Sequence, residues 1–537
     1  MREGLGLLEA DYVLDYDVLS MAREHRLYLM ARIQAGPPPD AADRRPLNLS
    51  VVLDRSSSMA GDKIEYVKKA AQFLVQRLSG RDRFSLVTYN ESVSVDSPPG
   101  PVLHKDAVNH AIQAIRPSGT TNLSGGWLKG CQLVEQNAAE GQINRVLLLT
   151  DGLANEGVTD PTRLAAMARQ KREEGVTTTT MGVGLGFNED LLTRLASEGG
   201  GAFYYIDNPD QAPRIFTEEL ADLMSVVGQN LTITLTLSPD VKMVTQLNAY
   251  PADVRGREIA FHLGDLYGDE IKRLLLELAI PALRTLGQVE VARLRFDYDE
   301  LGQERVAHRT MDLPILVNVA PEEALAGQAP NAEVVRSALL LRAARAREEA
   351  VRYADLGDFD GASQVLTQAA DAIRAADLDD AELEAEHNML REEAIDMEMG
   401  AQRYDTHTRK ISTTRAYYGA HDRDQSETTA MHGRLKSSRP ALERHGPPPA
   451  QLIWKRESRA LDGAGLSLGR AADNDIVIPE DTVSSYHCRI VHEGDDWVLE
   501  DLNSTNGTFA NGGRVEGRFR LSVGDVLTVG SWLFMCR

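Results

Sequence analysis

The spacing of apolar residues changes along the chain, and each spacing predicts a different kind of element. In REHRLYLMARIQ (residues 23–34) apolar residues occupy every second position from the first leucine onward, which is typical of a strand with one buried face. From Leu47 to about residue 226, apolar runs such as NLSVVLD and RVLLLTDG alternate with helical stretches. This alternation predicts crossover connections and a mostly parallel sheet that is buried on both faces.

The chain then returns to a period of two. In LTITLTL (residues 231–237) apolar residues alternate with threonines, and residues 229–318 as a whole predict a β-sandwich. Because strands both precede and follow the α/β stretch, we expect them to pack together, with the α/β unit inserted between them.

Three further patterns complete the chain. Residues 322–399 are rich in Ala, Glu, Arg and Leu and predict a helix, a turn and a second helix. Residues 400–450 are polar, rich in Ser, Thr and Arg, and end in GPPPA, which predicts a flexible tether. Residues 451–537 contain short strands punctuated by Gly, Asn and Asp, which predicts a small all-β domain.

The predicted fold class is multidomain: a doubly wound α/β parallel sheet inserted in a β-sandwich, then a helical hairpin region and a C-terminal all-β sandwich. The predicted boundaries are 1–46 for the N-terminal strands of the sandwich, 47–226 for the α/β domain, 227–318 for the rest of the sandwich, 319–400 for the helical region, 401–450 for the tether and 451–537 for the all-β domain.

Composition narrows the classes of function. The chain has 537 residues, with 80 acidic against 58 basic side chains and a formal net charge of -22. We expect no nucleic-acid partner, because nucleic-acid binding needs a basic surface. The cysteines, Cys131, Cys488 and Cys536, lack CxxC spacing, which argues against a disulfide framework or a zinc knuckle. No secretion signal and no apolar run of about 18 residues is present, so we expect a cytoplasmic protein without membrane insertion.

Candidate chemistry first appears where an apolar strand ends in VVLDRSSSMAG (residues 51–61), which carries Asp54, Ser56 and Ser58. In an open parallel sheet, the loops that follow the strands meet at one edge. Two further strand ends offer Thr121, in PSGTTNLSGG, and Asp151, in RVLLLTDG. Their carboxylate and hydroxyl oxygens suit Mg²⁺ or Mn²⁺.

These three stretches, in this order, resemble the von Willebrand factor type A domain and its metal-ion-dependent adhesion site. The resemblance covers roughly residues 47–226 and matches every ligand position. It implies that the neutral hydroxyl ligands leave the cation under-neutralised, so that an Asp or Glu of a partner protein completes its coordination. The sandwich stretch HLGDLYGDEIKRLLLEL is similar to bacterial proteins of this family.

Near the C-terminus, LGRAADNDIVI, VSSYHCRI and DLNSTNGTFANG follow one another with the spacing of a forkhead-associated domain. The resemblance implies a site for a phosphothreonine of a partner protein, and an arginine with hydroxyl donors from several loops can bind a phosphate. The residues implied to contact the phosphothreonine or its backbone are Arg470, Ser484, Ser485, Thr505 and Asn506. The residues implied to shape the loops are Gly469, His487 and Gly507.

The tether contains DQSETTAMHG, in which Glu427, Thr428 and Thr429 resemble the Glu-Thr-Thr phosphoacceptor stretch of small actinobacterial signalling proteins with the same phosphoreader. An unmodified polar linker is the alternative. Phosphorylation of Thr428 or Thr429 by a Ser/Thr protein kinase would add negative charge and three acceptor oxygens, and would let the tether bind its own all-β domain.

Together these features favour a non-enzymatic signalling adaptor that binds an acidic group of one protein through a cation and a phosphothreonine of another protein. The alternative is an accessory subunit of a metal chelatase or of an ATPase-type enzyme complex. The chain has no GxxxxGK[ST] or HExxH motif, and its GxSxG match, GLSLG (residues 465–469), lies in the predicted all-β domain and not in a strand-to-helix elbow. These observations argue against an autonomous enzyme with its own catalytic residue. A surface adhesin would need the secretion signal that the sequence lacks.

Overall fold

The computed structural model divides into two compact units, Met1–Ala338 and Leu339–Arg537. The residues that the structure describes are 3–21, 23–39, 44–206, 212–302, 306–325, 328–400, 403–421, 448–454, 457–461, 465–480, 483–494, 496–510, 513–515, 517–523, 525–530 and 532–536. Within these ranges, no helix has the length and apolarity needed to cross a membrane.

The first unit combines a β-sandwich with an α/β domain. Its strands are β1 (Glu3–Leu5), β2 (Leu8–Leu14), β3 (Val18–Ser20), β4 (His25–Ala35), β5 (Leu47–Asp54), β6 (Arg83–Tyr89), β7 (Val93–Pro101), β8 (Ile143–Thr150), β9 (Thr177–Val183), β10 (Gly200–Ile206), β11 (Val226–Leu237), β12 (Lys242–Gln246), β13 (Ala252–Arg255), β14 (Glu258–Tyr267), β15 (Ile271–Ile280), β16 (Gly287–Leu301) and β17 (Val306–Ala320). Its helices are α1 (Asp62–Arg77), α2 (Lys105–Ala114), α3 (Leu123–Gln136), α4 (Pro161–Glu173), α5 (Glu189–Glu198) and α6 (Ala212–Ser225).

The central sheet of the α/β domain has six strands in the order β10-β9-β8-β5-β6-β7. Neighbouring strands are parallel except β6 and β7. Every residue of β5 is buried, because Val51 packs in the core that includes α1 and α6, while Val52 faces Gly130 of α3 on the other side. Because β5 and β8 are parallel neighbours, their carboxyl ends meet at the same edge of the sheet.

The sandwich is built from strands on both sides of the α/β domain in sequence. Its sheets have the orders β1-β2-β4-β15-β12 and β13-β14-β11-β16-β17-β3. Strand β4 pairs antiparallel with β15 along its whole length, and β3 pairs parallel with β17. The apolar faces of the two sheets form one core. The predicted fold class, with the α/β domain inserted in a β-sandwich, is confirmed.

A buried ion pair joins the α/β sheet to the sandwich. Arg145 of β8 donates from Nη2 to Asp265 Oδ2 of β14 at 2.7 Å, and both side chains are at most 3% exposed. Arg145 also donates from Nη1 to Thr179 Oγ1 at 3.4 Å, and that hydroxyl donates to Glu219 of α6 at 2.6 Å. Charged groups from the sheet, a helix and the sandwich thus form one buried network.

The predicted helical region is confirmed, but its described residues form four α-helices, three of them within residues 319–400, where the sequence predicted a hairpin of two. They are α7 (Ala332–Asp355), α8 (Phe359–Ala375), α9 (Ala381–Glu398) and α10 (Thr406–Ala420). Arg347 of α7 donates to Glu393 of α9 at 2.8 Å and to Glu386 at 2.5 Å. Arg415 of α10 also pairs with Glu393, which links three helices through one carboxylate.

Helix α10 lies within residues 401–450, so the prediction of a tether over that whole range is wrong. Asp405 caps the helix by accepting from the amide of Thr408 at 2.8 Å, and Tyr417 and Tyr418 are buried. The polar composition hid the helix because several of its polar side chains, including Lys410, are themselves buried. Residues 422–447, with Thr428 and Thr429, lie outside the described residues.

The C-terminal part of the second unit is all-β. Its strands are β18 (Gln451–Trp454), β19 (Glu457–Ala460), β20 (Leu466–Gly469), β21 (Ile476–Val477), β22 (Cys488–Glu493), β23 (Asp496–Asp501), β24 (Phe509–Ala510), β25 (Gly513–Arg514), β26 (Arg518–Leu521), β27 (Val526–Val529) and β28 (Trp532–Cys536). Their sheets have the orders β19-β18-β28-β27-β24-β25 and β21-β20-β22-β23-β26. Leu468, Ile490, Leu499 and Phe534 belong to the shared core.

Candidate functional site

Asp54 is the last residue of β5 and is fully buried. Its Oδ1 accepts from the amide of Ser56 at 2.8 Å, and its Oδ2 accepts from Thr150 Oγ1, at the end of β8, at 2.7 Å. Burial raises the pKa of the Asp54 carboxyl, because the charged form loses its water. A cation beside this carboxylate would offset that loss.

A chain of hydroxyl groups runs from Ser56 to the residue after β8. Ser56 Oγ and Ser58 Oγ lie 2.9 Å apart, and Ser58 Oγ donates to Asp151 Oδ1 at 2.7 Å. Since Ser58 gives its single proton to Asp151, the Ser56 hydroxyl donates to Ser58. A short 3-10 helix at Ser57–Met59 turns the chain so that both serine oxygens reach the same side.

The loop before α3 is tied to the serine loop through the backbone. The amide of Ser57 donates to the carbonyl of Gly119 at 3.1 Å, and the amide of Ser118 donates to the carbonyl of Arg55 at 2.8 Å. Gly119 has a φ of 77°, a left-handed conformation that favours glycine. These contacts place the next residues, including the buried Thr121, beside the serines.

Gly152 shows where the oxygens from the three loops converge. A Cβ built on this glycine would lie 3.4 Å from Thr121 Oγ1, 3.6 Å from Ser58 Oγ and 4.0 Å from Asp54 Oδ2. A residue with no side chain thus leaves a small space that is lined by oxygens. The structure brings together all five residues that the sequence singles out at this edge.

The chemistry of this oxygen set fits a hard divalent cation. In an octahedral Mg²⁺ site with metal–oxygen distances near 2.1 Å, adjacent ligand oxygens lie about 3.0 Å apart. The 2.9 Å between Ser56 Oγ and Ser58 Oγ matches that edge. Across the described ranges, no group of three or more His, Cys, Asp or Glu side chains could hold a metal ion. The candidate ligands here are two carboxylates and three hydroxyls.

Three residues at this edge were missed by the sequence analysis: Lys63, Thr150 and Gly152. Lys63 Nζ donates to Asp151 Oδ2 at 2.5 Å and to the carbonyl of Ser58 at 3.4 Å. Thr150 directly precedes Asp151, and its position at a strand end is the signal that could have found it. Nothing in the local sequence separates Lys63 from an ordinary solvated lysine near the start of a helix.

In the all-β domain, loops around strands β20 to β24 bring the predicted phosphate-binding residues together. The amide of Arg470 donates to the carbonyl of Ser484 at 3.0 Å, and Arg470 Nε donates to the carbonyl of Val483 at 3.2 Å. The amide of Thr505 donates to Ser484 Oγ at 3.1 Å. Arg470, Thr505 and the adjacent Asn506 are exposed. An exposed guanidinium thus lies on the loop that is bonded to these hydroxyl groups.

Ser485 takes part mainly through its backbone. Its carbonyl accepts from the amide of Ala471 at 3.0 Å and from Asn474 Nδ2 at 2.8 Å. A Cβ built on Gly469 would lie 2.4 Å from the same carbonyl, so glycine is needed for this close approach. Asn474 was missed by the sequence analysis, although asparagine in a turn commonly bonds nearby backbone.

His487 bridges two loops from a fully buried position. Its Nδ1 accepts from the amide of Ser484 at 3.1 Å, so Nε2 carries the proton and donates to the carbonyl of Gly507 at 3.1 Å. Burial lowers the pKa of this imidazole below its usual range. Gly507 has a φ of 84°, which only glycine adopts readily. The ring therefore holds the loops of Ser484 and Thr505 in place.

We expect His487 to stay neutral, as the Nε2–H tautomer, at pH values where an exposed histidine is half protonated. Its stabilising contribution is present above the unfolded pKa of about 6.5 and is lost as the pH falls toward the lower folded pKa. Histidine ¹⁵N NMR on the full chain, assigned by comparison with His487→Gln, measures both the tautomer and the pKa. A titration midpoint at or above that of the exposed histidines would contradict this prediction.

Comparisons with known proteins support the assignment of the α/β domain and of the C-terminal all-β domain. The family model of the von Willebrand factor type A domain matches residues 48–218, and that of the FHA domain matches residues 466–530. An uncharacterized protein of Synechocystis sp. is 31% identical over 390 residues, which cover 69% of this chain and 87% of that protein.

A more distant relative is longer than this chain. The E3 ubiquitin-protein ligase WAV3 of Arabidopsis thaliana is 25% identical over 338 residues, which cover 62% of this chain and 43% of the relative. Among solved structures, a von Willebrand factor type A protein from Catenulispora acidiphila has a TM-score of 0.57 at 18% identity, covering 71% of this chain and 89% of its own. That likeness supports the fold.

Proposed function

Since the chain belongs to the von Willebrand factor type A domain family and also carries an FHA domain, we propose that it is a non-enzymatic scaffold that joins two proteins. Domains of both kinds are typically interaction modules. One partner offers an acidic side chain to a divalent cation at the edge of the α/β sheet. The other partner offers a phosphothreonine to the loops of the all-β domain.

The observation that carries the first half of the proposal is the convergence of oxygens at Gly152. Asp54, Ser56, Ser58, Thr121 and Asp151 would hold Mg²⁺ or Mn²⁺. A bound cation supplies a coordination position for a carboxylate oxygen of the partner. The protein orients the ligands: Thr150 holds Asp54, and Asp151 accepts the proton of Ser58, so that a lone pair of the Ser58 oxygen stays available.

The second half of the proposal rests on the loops around Arg470. A guanidinium and several hydroxyl and amide donors can surround a phosphate without a helix N-terminus. Arg470, Ser484, Ser485, Thr505 and Asn506 would contact the phosphothreonine or its peptide backbone. The tether residues Thr428 and Thr429 are proposed phosphoacceptors, which would make the chain a ligand of its own FHA domain once a Ser/Thr kinase has acted.

A pull-down with the full chain tests the two-site proposal. Asp54→Asn, which keeps the shape of the carboxyl group, and Arg470→Ala are expected to lose different partners, each by roughly tenfold or more. The matched controls are Asp106→Ala and Arg459→Ala, which alter exposed residues of the same domains. Recovery of identical partners by all variants would refute the scaffold. Recovery of a chelatase or ATPase as the metal-dependent partner would favour the accessory-subunit alternative.

A further inference from the structure

Lys63 is a basic residue that bonds directly to two of the candidate metal ligands, Asp151 and Ser58. Its Nζ lies 2.5 Å from Asp151 Oδ2, while its side chain remains 32% exposed and Asp151 is fully buried. The lysine lies in the first turn of α1, where the helix dipole disfavours a positive charge. The ion pair with Asp151 offsets that cost, so the ammonium has a specific partner at an otherwise unfavourable position.

The surrounding backbone leaves room for this side chain. A Cβ built on Gly184, just after β9, would lie 3.2 Å from Lys63 Cε and 3.6 Å from Lys63 Nζ. Gly184 has a φ of 70°, so a larger residue would also be strained there. The loop after β9 and the first turn of α1 together keep the ammonium group at the edge of the sheet.

The charges at this edge determine what the site can bind. Asp54 and Asp151 bring two negative charges when ionised, and Lys63 brings one positive charge. A divalent cation would then change the summed charge of these three groups from negative one to positive one. Without Lys63, the same cation would bring the sum for the two carboxylates to zero, which attracts a further carboxylate less strongly.

We propose that Lys63 sets the specificity of this edge: it weakens binding of the divalent cation itself and strengthens capture of a carboxylate by the loaded site. This inference rests on the proposed metal site. Lys63 acts through charge and through its hold on Asp151, and its role is that of a positioning residue. A purely structural lysine would affect both steps in the same direction.

The test uses the full chain, freed of divalent cations and titrated with Mn²⁺ alone, with free Mn²⁺ measured by electron paramagnetic resonance. Lys63→Met is expected to bind Mn²⁺ roughly three- to tenfold more tightly than the original chain. Lys63→Arg, which keeps the charge, is expected to match the original. Lys69→Met is the control, since Lys69 is exposed on the same helix and contacts the Tyr66 ring. Asp54→Asn identifies binding at the proposed site.

A second readout uses acetate as the carboxylate probe. Acetate that displaces water from bound Mn²⁺ lowers the water proton relaxation enhancement, and its affinity is expected to fall roughly three- to tenfold in Lys63→Met. Equal Mn²⁺ affinity in Lys63→Met and the original chain, or a loss of both affinities, overturns the role of Lys63 while the metal site stands. If Asp54→Asn removes none of the Mn²⁺ binding, the proposed metal site is overturned, and this inference falls with it.

Discussion

Replacing Asp265 with alanine is expected to lower the free energy of unfolding of the first unit by about 3–5 kcal/mol. The change removes the partner of Arg145, whose guanidinium is buried between the α/β sheet and the sandwich. The buried guanidinium would keep its contact with Thr179 and the nearby Glu219, but it would lose its direct carboxylate partner and with it much of the compensation for its desolvation. Hydrogen exchange of peptides from β8 and β14, measured against urea concentration, reports this loss where the two parts of the unit meet.

Two variants distinguish this effect from a general sensitivity to mutation. The double variant Arg145→Met with Asp265→Leu removes both charges and is expected to recover most of the lost stability. Asp253→Ala removes partly exposed ion pairs with His262 and Arg169 and is expected to cost less than about 1 kcal/mol. A double variant as unstable as Asp265→Ala would show that the network itself, and not the orphaned charge, determines stability.

Replacing Arg470 with alanine is expected to weaken binding of a phosphothreonine peptide roughly 10- to 100-fold, because a charge-assisted contact to phosphate is lost. The fold should persist, since Arg470 is exposed and its backbone bond to Ser484 does not need the side chain, although the bond from Nε to the Val483 carbonyl is lost. The Arg470→Lys variant keeps the charge without the planar fork, so an intermediate affinity is expected. Fluorescence anisotropy of labelled peptides measures these affinities.

Two peptides separate recognition of phosphate from recognition of the tether. One carries residues 421–436 with phosphate on Thr428 or Thr429, and the other is a degenerate phosphothreonine library. Binding of the library but not of the tether peptide would refute self-recognition and leave the phosphothreonine site in place. Equal affinity of Arg470→Ala and the original chain for both peptides would refute the assigned phosphate site.

The sequence was most informative where strands of a parallel sheet end. Asp54 and Asp151 could be placed at one edge because the carboxyl ends of such strands must meet there. Thr121 reaches the same edge, but the prediction that it follows a strand is wrong, because it lies in the loop between α2 and α3. It was less informative in residues 401–450, where a polar composition predicted a tether although Thr406–Ala420 form a helix. A prediction from composition assumes that polar side chains are exposed to solvent. Polar side chains of α10 such as Lys410 are buried, so the assumption fails there.

The sequence by itself determined the order of the domains and the residues that stand at the strand ends and in the loops, because apolar period and turn residues are local properties. Only the tertiary structure decided which charges meet. Lys63 and Asp151 are separated by 88 positions, and Arg145 and Asp265 by 120. Such pairs form when distant segments pack together, so no local pattern specifies them.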